Sequence, residues 1–307
     1  MNIRFLETAV NLAELLNFRM TAERMNITPA AISNRITTIE QELGIRIFDR
    51  DAREVSVTRD GETFLRHARE ILLSYHRMLG ELSPTLPDEG IIRIGILPSL
   101  AMTVLPAIAE TIWRRFPRVQ LSIVTDGSQA LQVRLARHEI DILLGFPPAE
   151  MKNLRIQPLC RLGMFWVAAA DYPGCVGPLK ASELLNFPII SYESGTRTYQ
   201  KTIEYFGISA TDAIFHYSNA LPTTISMLEG GIGIAVLPPI TIQEQLRNGS
   251  LKVLDVQPRF PALEYSQIWL EPSASPLTRV IAQFVRKTVD DFCAGFDDSI
   301  AALLEVG

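Results

Sequence analysis

The chain of 307 residues is 47% hydrophobic and 21% charged, with a net charge of −5. That length predicts two or three domains with buried cores, the composition argues against a disordered chain, and the lack of any run of 18 apolar residues argues against a spanning helix. Three scattered cysteines without a C-x-x-C argue against a disulfide framework and a structural zinc site, and the negative charge means that any nucleic acid must be held by a local basic patch.

Residues 3–16 place Phe5, Leu6, Ala9, Val10, Leu12, Ala13 and Leu16 on one side of a helix. Glu7 and Glu14 fall inside this segment and no small-residue cleavage site follows it, which argues against a secretory leader and for the cytoplasm. A second short helix is predicted over 18–25. Asn26-Ile27 breaks the pattern. Thr28 then stands as N-cap before Pro29, and Gly44 ends the third helix after Leu43. Helix, helix, tight turn and helix make a helix-turn-helix. The third helix is expected to bury Ala31, Ile32, Ile36 and Ile39 and to show Ser33, Asn34, Arg35 and Thr37, which fit a major groove. Ile45–Val57 alternates and reads as two short strands joined by an arginine-bearing turn: the wing of a winged helix, or an ordinary charged hairpin. Every basic residue in the first 80 is arginine, whose fork grips phosphates and base edges, although a GC-rich genome gives the same bias.

Thr58 caps a predicted long helix to about Leu82. Leu65, Ala68, Leu72, Tyr75, Leu79 and Leu82 form a heptad seam, and Phe64, Ile71 and Met78 a flanking row for the preceding domain or a second protomer. A core helix of one globular domain has the same stripe. Residues 83–90 read as a linker. Beyond them strands alternate with helices. Strands are predicted at 91–97, 119–124, 140–144, 154–159, 163–169, 187–192, 213–217, 233–237 and 266–270, and helices around 101–115, 128–138, 196–206, 220–229 and 277–292. This is an α/β pattern with a mostly parallel sheet in two lobes. Residues 294–307 fit either a short amphipathic helix or a frayed tail.

Three motifs in order carry a resemblance: Ala22-Glu23-Arg24-Met25-Asn26-Ile27-Thr28-Pro29-Ala30-Ala31-Ile32-Ser33, Ile39-Glu40-x-Glu42-Leu43-Gly44-Ile45-x-Ile47-Phe48-x-Arg50, and Val57-Thr58-x-x-Gly61. With Arg53 in the wing, they resemble the LysR-type transcriptional regulators. Ile94-Gly95-Ile96, Glu139–Ile142 and Gly231–Pro238 match more loosely. The resemblance implies an α/β multidomain chain: a winged helix-turn-helix over 1–58, a dimerising linker helix and hinge over 59–90, and a two-lobed effector domain of the type II periplasmic-binding-protein type over 91–307. Lobe I would span about 91–162 and 266–307, and lobe II about 163–265. It implies operator DNA, a small-molecule effector, a homodimer or homotetramer and RNA polymerase as partners, with no membrane, cofactor or metal. The DNA-binding set carried over or inferred beside it is Arg19, Thr28, Pro29, Ala30, Ser33, Asn34, Arg35, Arg50 and Arg53. Several positions depart from the family pattern. Pro29 replaces a frequent glutamine. Arg19 replaces a Thr or Ser cap, so that cap is expected to be lost and Arg19 to reach a phosphate. Glu54 and Ser56 replace frequent wing arginines, and Ala9 an aromatic.

In a two-lobed α/β domain, ligand lies at the carboxyl ends of strands near helix N-termini, where free N–H groups favour an anion. The expected contacts are Ser99, Leu100, Ser128, Phe146, Ser194, Gly195, Thr196, Arg197 and Asn219. As ordinary helix caps, the serines, Thr196 and Asn219 are equally explained. A carboxylate is the expected ligand class. An enzyme is disfavoured: His67, His76, His138 and His216 show no metal-ligand spacing, and no G-x-S-x-G or P-loop occurs. The alternatives are a redox-responsive regulator of the same fold and a cytoplasmic solute-binding sensor.

Overall fold

The computed structural model describes residues 2–25, 27–49, 55–82, 89–149, 151–207 and 213–304. The chain divides into two compact units, Met1–Pro87 with Pro272–Pro276 and Asp88–Glu271 with Leu277–Gly307.

In the first unit every helix start is capped by a side chain. Asn2 accepts from the Arg4 N–H at 3.0 Å and opens α1 (Ile3–Leu15). Asn17 accepts from the N–H groups of Arg19 and Met20 at 2.9 and 3.0 Å and opens α2 (Phe18–Met25). The cap expected to be lost at Arg19 is therefore present, supplied two residues earlier. Thr28 accepts from Ala31 at 3.2 Å and opens α3 (Pro29–Leu43), where proline costs nothing because a helix start leaves that N–H unpaired. Gly44, at φ 67°, closes it.

β1 (Phe48–Asp49) and β2 (Ser56–Val57) then pair antiparallel, with Phe48 opposite Val57. Two side chains lock this ladder to the helices. Glu40 of α3 accepts from the Ile47 and Phe48 N–H groups at 2.8 and 3.2 Å. Thr58 donates to the carbonyls of Arg46 and Ile47 and accepts from Gly61 at 2.9 Å, capping α4 (Arg59–Leu82). Gly61 lies so close that a Cβ there would sit 2.1 Å from the Ile47 carbonyl oxygen. The core beneath contains Leu6, Leu12, Ile32, Ile36, Ile39, Ile47, Phe48 and Leu65. Ala31, expected in it, is only half-buried and is not part of it. The α4 seam also divides. Leu65, Ala68 and Leu72 close this core, joined by Phe64 of the flanking row, while Ile71 and Met78 stay exposed. A stripe that looks like a free seam in sequence is, over its first two turns, a core stripe.

The second unit contains β3 (Glu89–Ile96), α5 (Pro98–Thr103), α6 (Leu105–Arg115), β4 (Arg118–Thr125), α7 (Ser128–Ala136), β5 (Ile142–Gly145), β6 (Leu154–Leu162), β7 (Phe165–Ala169), β8 (Leu179–Lys180), β9 (Ile189–Ser191), α8 (Arg197–Phe206) and β10 (Phe215–Tyr217). After them come α9 (Leu221–Glu229), β11 (Ile234–Leu237), α10 (Gln243–Asn248), β12 (Leu251–Val253), β13 (Val256–Gln257), β14 (Leu263–Leu270), α11 (Pro276–Cys293) and β15 (Ala301–Leu303). One six-stranded sheet has the order β15-β6-β14-β5-β3-β4, and one five-stranded sheet the order β10-β9-β11-β7-β12. The chain leaves the first after Leu162 and returns to it at Leu263.

The mostly parallel sheet expected from the alternation is only half right. β3 runs parallel to β4 and β5, and β9 to β10 and β11, where helices make the crossovers. β14 runs antiparallel to β5 and β6, and β7 to β11 and β12. The single helix expected over 101–115 is two, interrupted at Val104, because Pro106 has no N–H to continue the α5 hydrogen-bond ladder. In the described part of the tail, Ala301–Leu303 adds a strand to β6 in place of the helix expected from the sequence, and residues 305–307 lie outside the described residues.

The close approach at Gly61 makes a direct test. Gly61→Ala should destabilise the first unit by about 1–3 kcal/mol, since backbone must move to admit a methyl group. Urea unfolding followed by helical circular dichroism checks this; an unchanged midpoint would mean that helix and ladder are not held in this contact.

Candidate functional site

The N-terminus of α3 leaves Thr28, Pro29 and Ala30 exposed, with Asn34 exposed one turn on and Ser33 half-buried between them. Arg35 is held differently. It is half-buried, its Nη1 donates to Thr8 Oγ1 at 3.1 Å, and its guanidinium lies 5.9 Å from the Phe5 ring centroid. It thus ties α3 to α1. Arg19 is exposed and pairs with Glu23 at 3.3 Å, a solvent-screened contact. Arg50 and Arg53 lie outside the described residues.

In the second unit, strand ends and helix starts meet in one cleft. Its largest part is a cavity of about 500 Å³ lined by Pro98, Asp126–Ala130, Glu193–Thr196 and Asn219–Pro222. The first turns of α7 and α9 and the N-cap of α8 line it. An adjoining part of about 420 Å³ adds Phe146, Arg197 and Lys201, and a narrower floor adds Ser99, Met164, Tyr192 and Tyr265. The expected residues Ser99, Ser128, Phe146, Ser194, Gly195, Thr196, Arg197 and Asn219 are therefore brought together. Leu100 is not; it is fully buried in the core, one residue beyond the lining.

Local contacts decide which of these groups are free to bind. Thr196 caps α8, accepting from the Tyr199 N–H at 3.2 Å and donating to the Glu193 carbonyl at 3.0 Å. Ser128 is not a cap: Gly127 holds that position, and its N–H goes to Asp126 Oδ1 at 2.7 Å. Nor does Asn219 cap α9, whose N-cap Ala220 offers no side chain. The cap explanation from sequence therefore fails for Ser128 and Asn219. Ser99 is buried and donates to the Tyr265 hydroxyl at 3.2 Å. Phe146 stacks on Tyr265 with centroids 4.9 Å apart, and the Arg197 guanidinium lies 5.2 Å over the Phe146 ring. This gives the floor a layer of guanidinium, ring and ring.

Tyr192 and Tyr265 escape sequence reading, because Ser99 and Tyr265 are 166 residues apart and only the returning strand joins them. Burial pushes the Tyr192 hydroxyl up to about 12 and raises that of Tyr265 further still. Both are neutral hydrogen-bonding groups at any ordinary pH. Among the described residues no cluster of side chains suited to a metal ion occurs, and no helix is long and apolar enough to cross a membrane.

A helix-turn-helix unit with a short two-stranded ladder, followed by a two-sheet α/β unit with a ligand-sized cleft, is the architecture of a DNA-binding transcriptional regulator. A family profile for the LysR substrate binding domain matches residues 87–290, and one for the bacterial regulatory helix-turn-helix protein, lysR family, matches residues 3–62. The chain belongs to the LysR family of bacterial transcriptional regulators. It is 26% identical over 245 residues to a probable hydrogen peroxide-inducible genes activator from Streptomyces viridosporus, covering 78% of each chain. It is 25% identical over 266 residues to the DNA-binding transcriptional dual regulator OxyR of Escherichia coli (strain K12), covering 84% of this chain and 86% of that one. A full-length OxyR variant from Pseudomonas aeruginosa, carrying a single cysteine-to-aspartate substitution, shares the fold with a TM-score of 0.77 at 21% identity over 94% of each chain. CbnR complexed with its target DNA does so with a TM-score of 0.63 at 16% identity, over 94% of this chain and all of that one.

The position of Tyr192 has a consequence for alkaline stability. Its pKa is raised in the folded state, so its contribution is complete below about pH 10, where the unfolded chain still holds the proton. That contribution is lost as pH rises toward about 12. Tyr192→Phe should therefore flatten the fall in unfolding free energy across this window. An identical fall in both proteins would place the hydroxyl in water.

Proposed function

We propose that this regulator binds operator DNA through the exposed N-terminus of α3 and that a small carboxylate in the cleft controls its action there. Thr28, Pro29, Ala30, Ser33 and Asn34 face the major groove. Arg19 and Arg50 take phosphates, Arg53 in the wing reaches the minor groove, and Arg35 holds α3 in position. Pairing through α4, where Ile71 and Met78 are exposed, gives a dimer and then a tetramer matched to a two-fold operator. RNA polymerase is the expected downstream partner, and the cytoplasm the expected location.

The observation that carries the ligand reading is the convergence of three helix N-termini on one cavity of about 500 Å³. Unpaired N–H groups and aligned peptide dipoles favour a carboxylate there. Arg197 supplies a second, positively charged handle, and Phe146 with Tyr265 an apolar wall. Some relatives are named for hydrogen peroxide. A redox input at the cleft has less support in this chain, because none of its three cysteines is among the lining residues.

A thermal-shift screen against small carboxylates at fixed pH and salt tests the reading. One compound should raise the melting temperature saturably, as ligand bound only by the folded state must. Ser194→Ala and Thr196→Ala should weaken that response and leave basal operator binding intact. Thr196→Ser, which keeps the capping hydroxyl, separates the contact from the stability of α8. No response to any carboxylate would discard the ligand class. For the DNA side, Arg53→Ala should lower the salt slope of operator affinity by about one unit, and an unchanged slope would take the wing off the DNA.

A further inference from the structure

The floor of the cleft holds more hydroxyl protons than the protein has acceptors for. Ser99 lies in the first turn of α5, Tyr265 on β14, and Tyr192 directly after β9. All three line the floor cavity of about 80 Å³. Ser99 and Tyr265 share one hydrogen bond at 3.2 Å, and two hydroxyls joined by one bond keep one proton over, whichever donates. The Tyr192 hydroxyl lies near enough to act on that of Tyr265, and among the described residues it has no hydrogen-bond partner. Two hydroxyl protons are thus left to an acceptor in the cleft. The charge at the floor is equally one-sided. Among the described residues, Arg197 is the one charged side chain in its lining. Burial outweighs that charge: it pushes Tyr192 up to about 12 and Tyr265 further, although Arg197 pulls Tyr265 down. An anion is therefore disfavoured at the floor.

We propose that the cleft ligand is a carboxylate whose other end carries an uncharged oxygen, a hydroxyl or a carbonyl, and that Ser99, Tyr192 and Tyr265 recognise that oxygen. The inference rests on the carboxylate reading of the cleft and narrows it. The carboxylate lies in the wide part, at the helix starts. The far end enters the floor, where its oxygen accepts from Tyr192 and takes the proton that Ser99 and Tyr265 keep over. The same floor rejects two near analogues for different reasons. A methyl group in place of the oxygen leaves two buried donors unpaired. A second carboxylate takes both bonds but loses its hydration in a place that disfavours an anion. A hydroxyl or carbonyl satisfies the donors at the smaller cost of moving a neutral group out of water.

The test is calorimetric titration of the full chain, at fixed pH and salt, with two matched series of acids. One series is para-toluate, para-hydroxybenzoate and terephthalate; the other is pentanoate, levulinate and glutarate. Within each series the far end changes from methyl to uncharged oxygen to carboxylate. In a series that binds, the uncharged-oxygen member should be tighter than both others by about 10-fold or more. Tyr192→Phe and Tyr265→Phe should each bring its ratio to the methyl member toward one. Loss of structure alone would weaken all members alike and leave the ratio standing. A methyl or dicarboxylate member that binds as tightly, or a ratio that survives both substitutions, would overturn the proposal. Binding by neither series, while another carboxylate still stabilises the chain, would overturn it and leave the carboxylate reading intact. Binding by no carboxylate at all would remove both. The ratios in the unsubstituted chain decide the ligand class even if a variant fails to fold.

Discussion

A helix that follows a parallel strand must begin at that strand's carboxyl edge, and the working part of the second unit depends on this constraint. β3 runs into α5, β4 into α7, β9 into α8 and β10 into α9. Because β3 and β4 belong to one sheet and β9 and β10 to the other, the carboxyl edges of two sheets border one cleft, and helix starts lie along both walls. The polarity of the site is therefore set by backbone topology before any side chain is considered. Side chains refine it: Gly195, at φ 91°, turns the chain between β9 and α8, and Thr196 then starts the helix.

The first unit meets a different constraint. A unit this small has little core to spare, so its short ladder is fastened to helices by polar contacts at both ends. Glu40 takes two N–H groups at one end, and Thr58 takes two carbonyls and one N–H at the other. Gly61 allows α4 to lie directly on the Ile47 carbonyl. These contacts hold α3 from behind through Ile32, Ile36, Ile39 and Arg35, and leave its N-terminus open.

Local patterns were the most legible. Capping residues and apolar spacing located α1 to α4 to within a residue or two, and the positions of Ser194, Gly195, Thr196 and Arg197 followed from a strand-to-helix junction. Three kinds of feature were not legible. Strand direction depends on which strands pair, so the antiparallel halves of both sheets could not be read from alternation. Burial depends on tertiary partners, which is why Leu100 fell in the core and Arg35 turned toward Thr8. Contacts across long separations, such as Ser99 with Tyr265 and Arg286 with the Pro158 carbonyl, carry no local signal at all. Arg19 shows a further case: a cap can move by two residues, from the expected position to Asn17, with its hydrogen bonds kept.

Regulation requires that ligand and DNA each prefer one arrangement of the protein, and linkage makes that preference reciprocal. The most direct measurement is therefore the affinity of the stabilising carboxylate for the full chain, by calorimetry, with and without saturating operator DNA at one salt concentration. The account predicts that DNA changes ligand affinity by the same factor by which ligand changes DNA affinity, commonly about 5–150-fold. Equal ligand affinity in both states would contradict it, leaving a cleft that binds its ligand without governing the DNA.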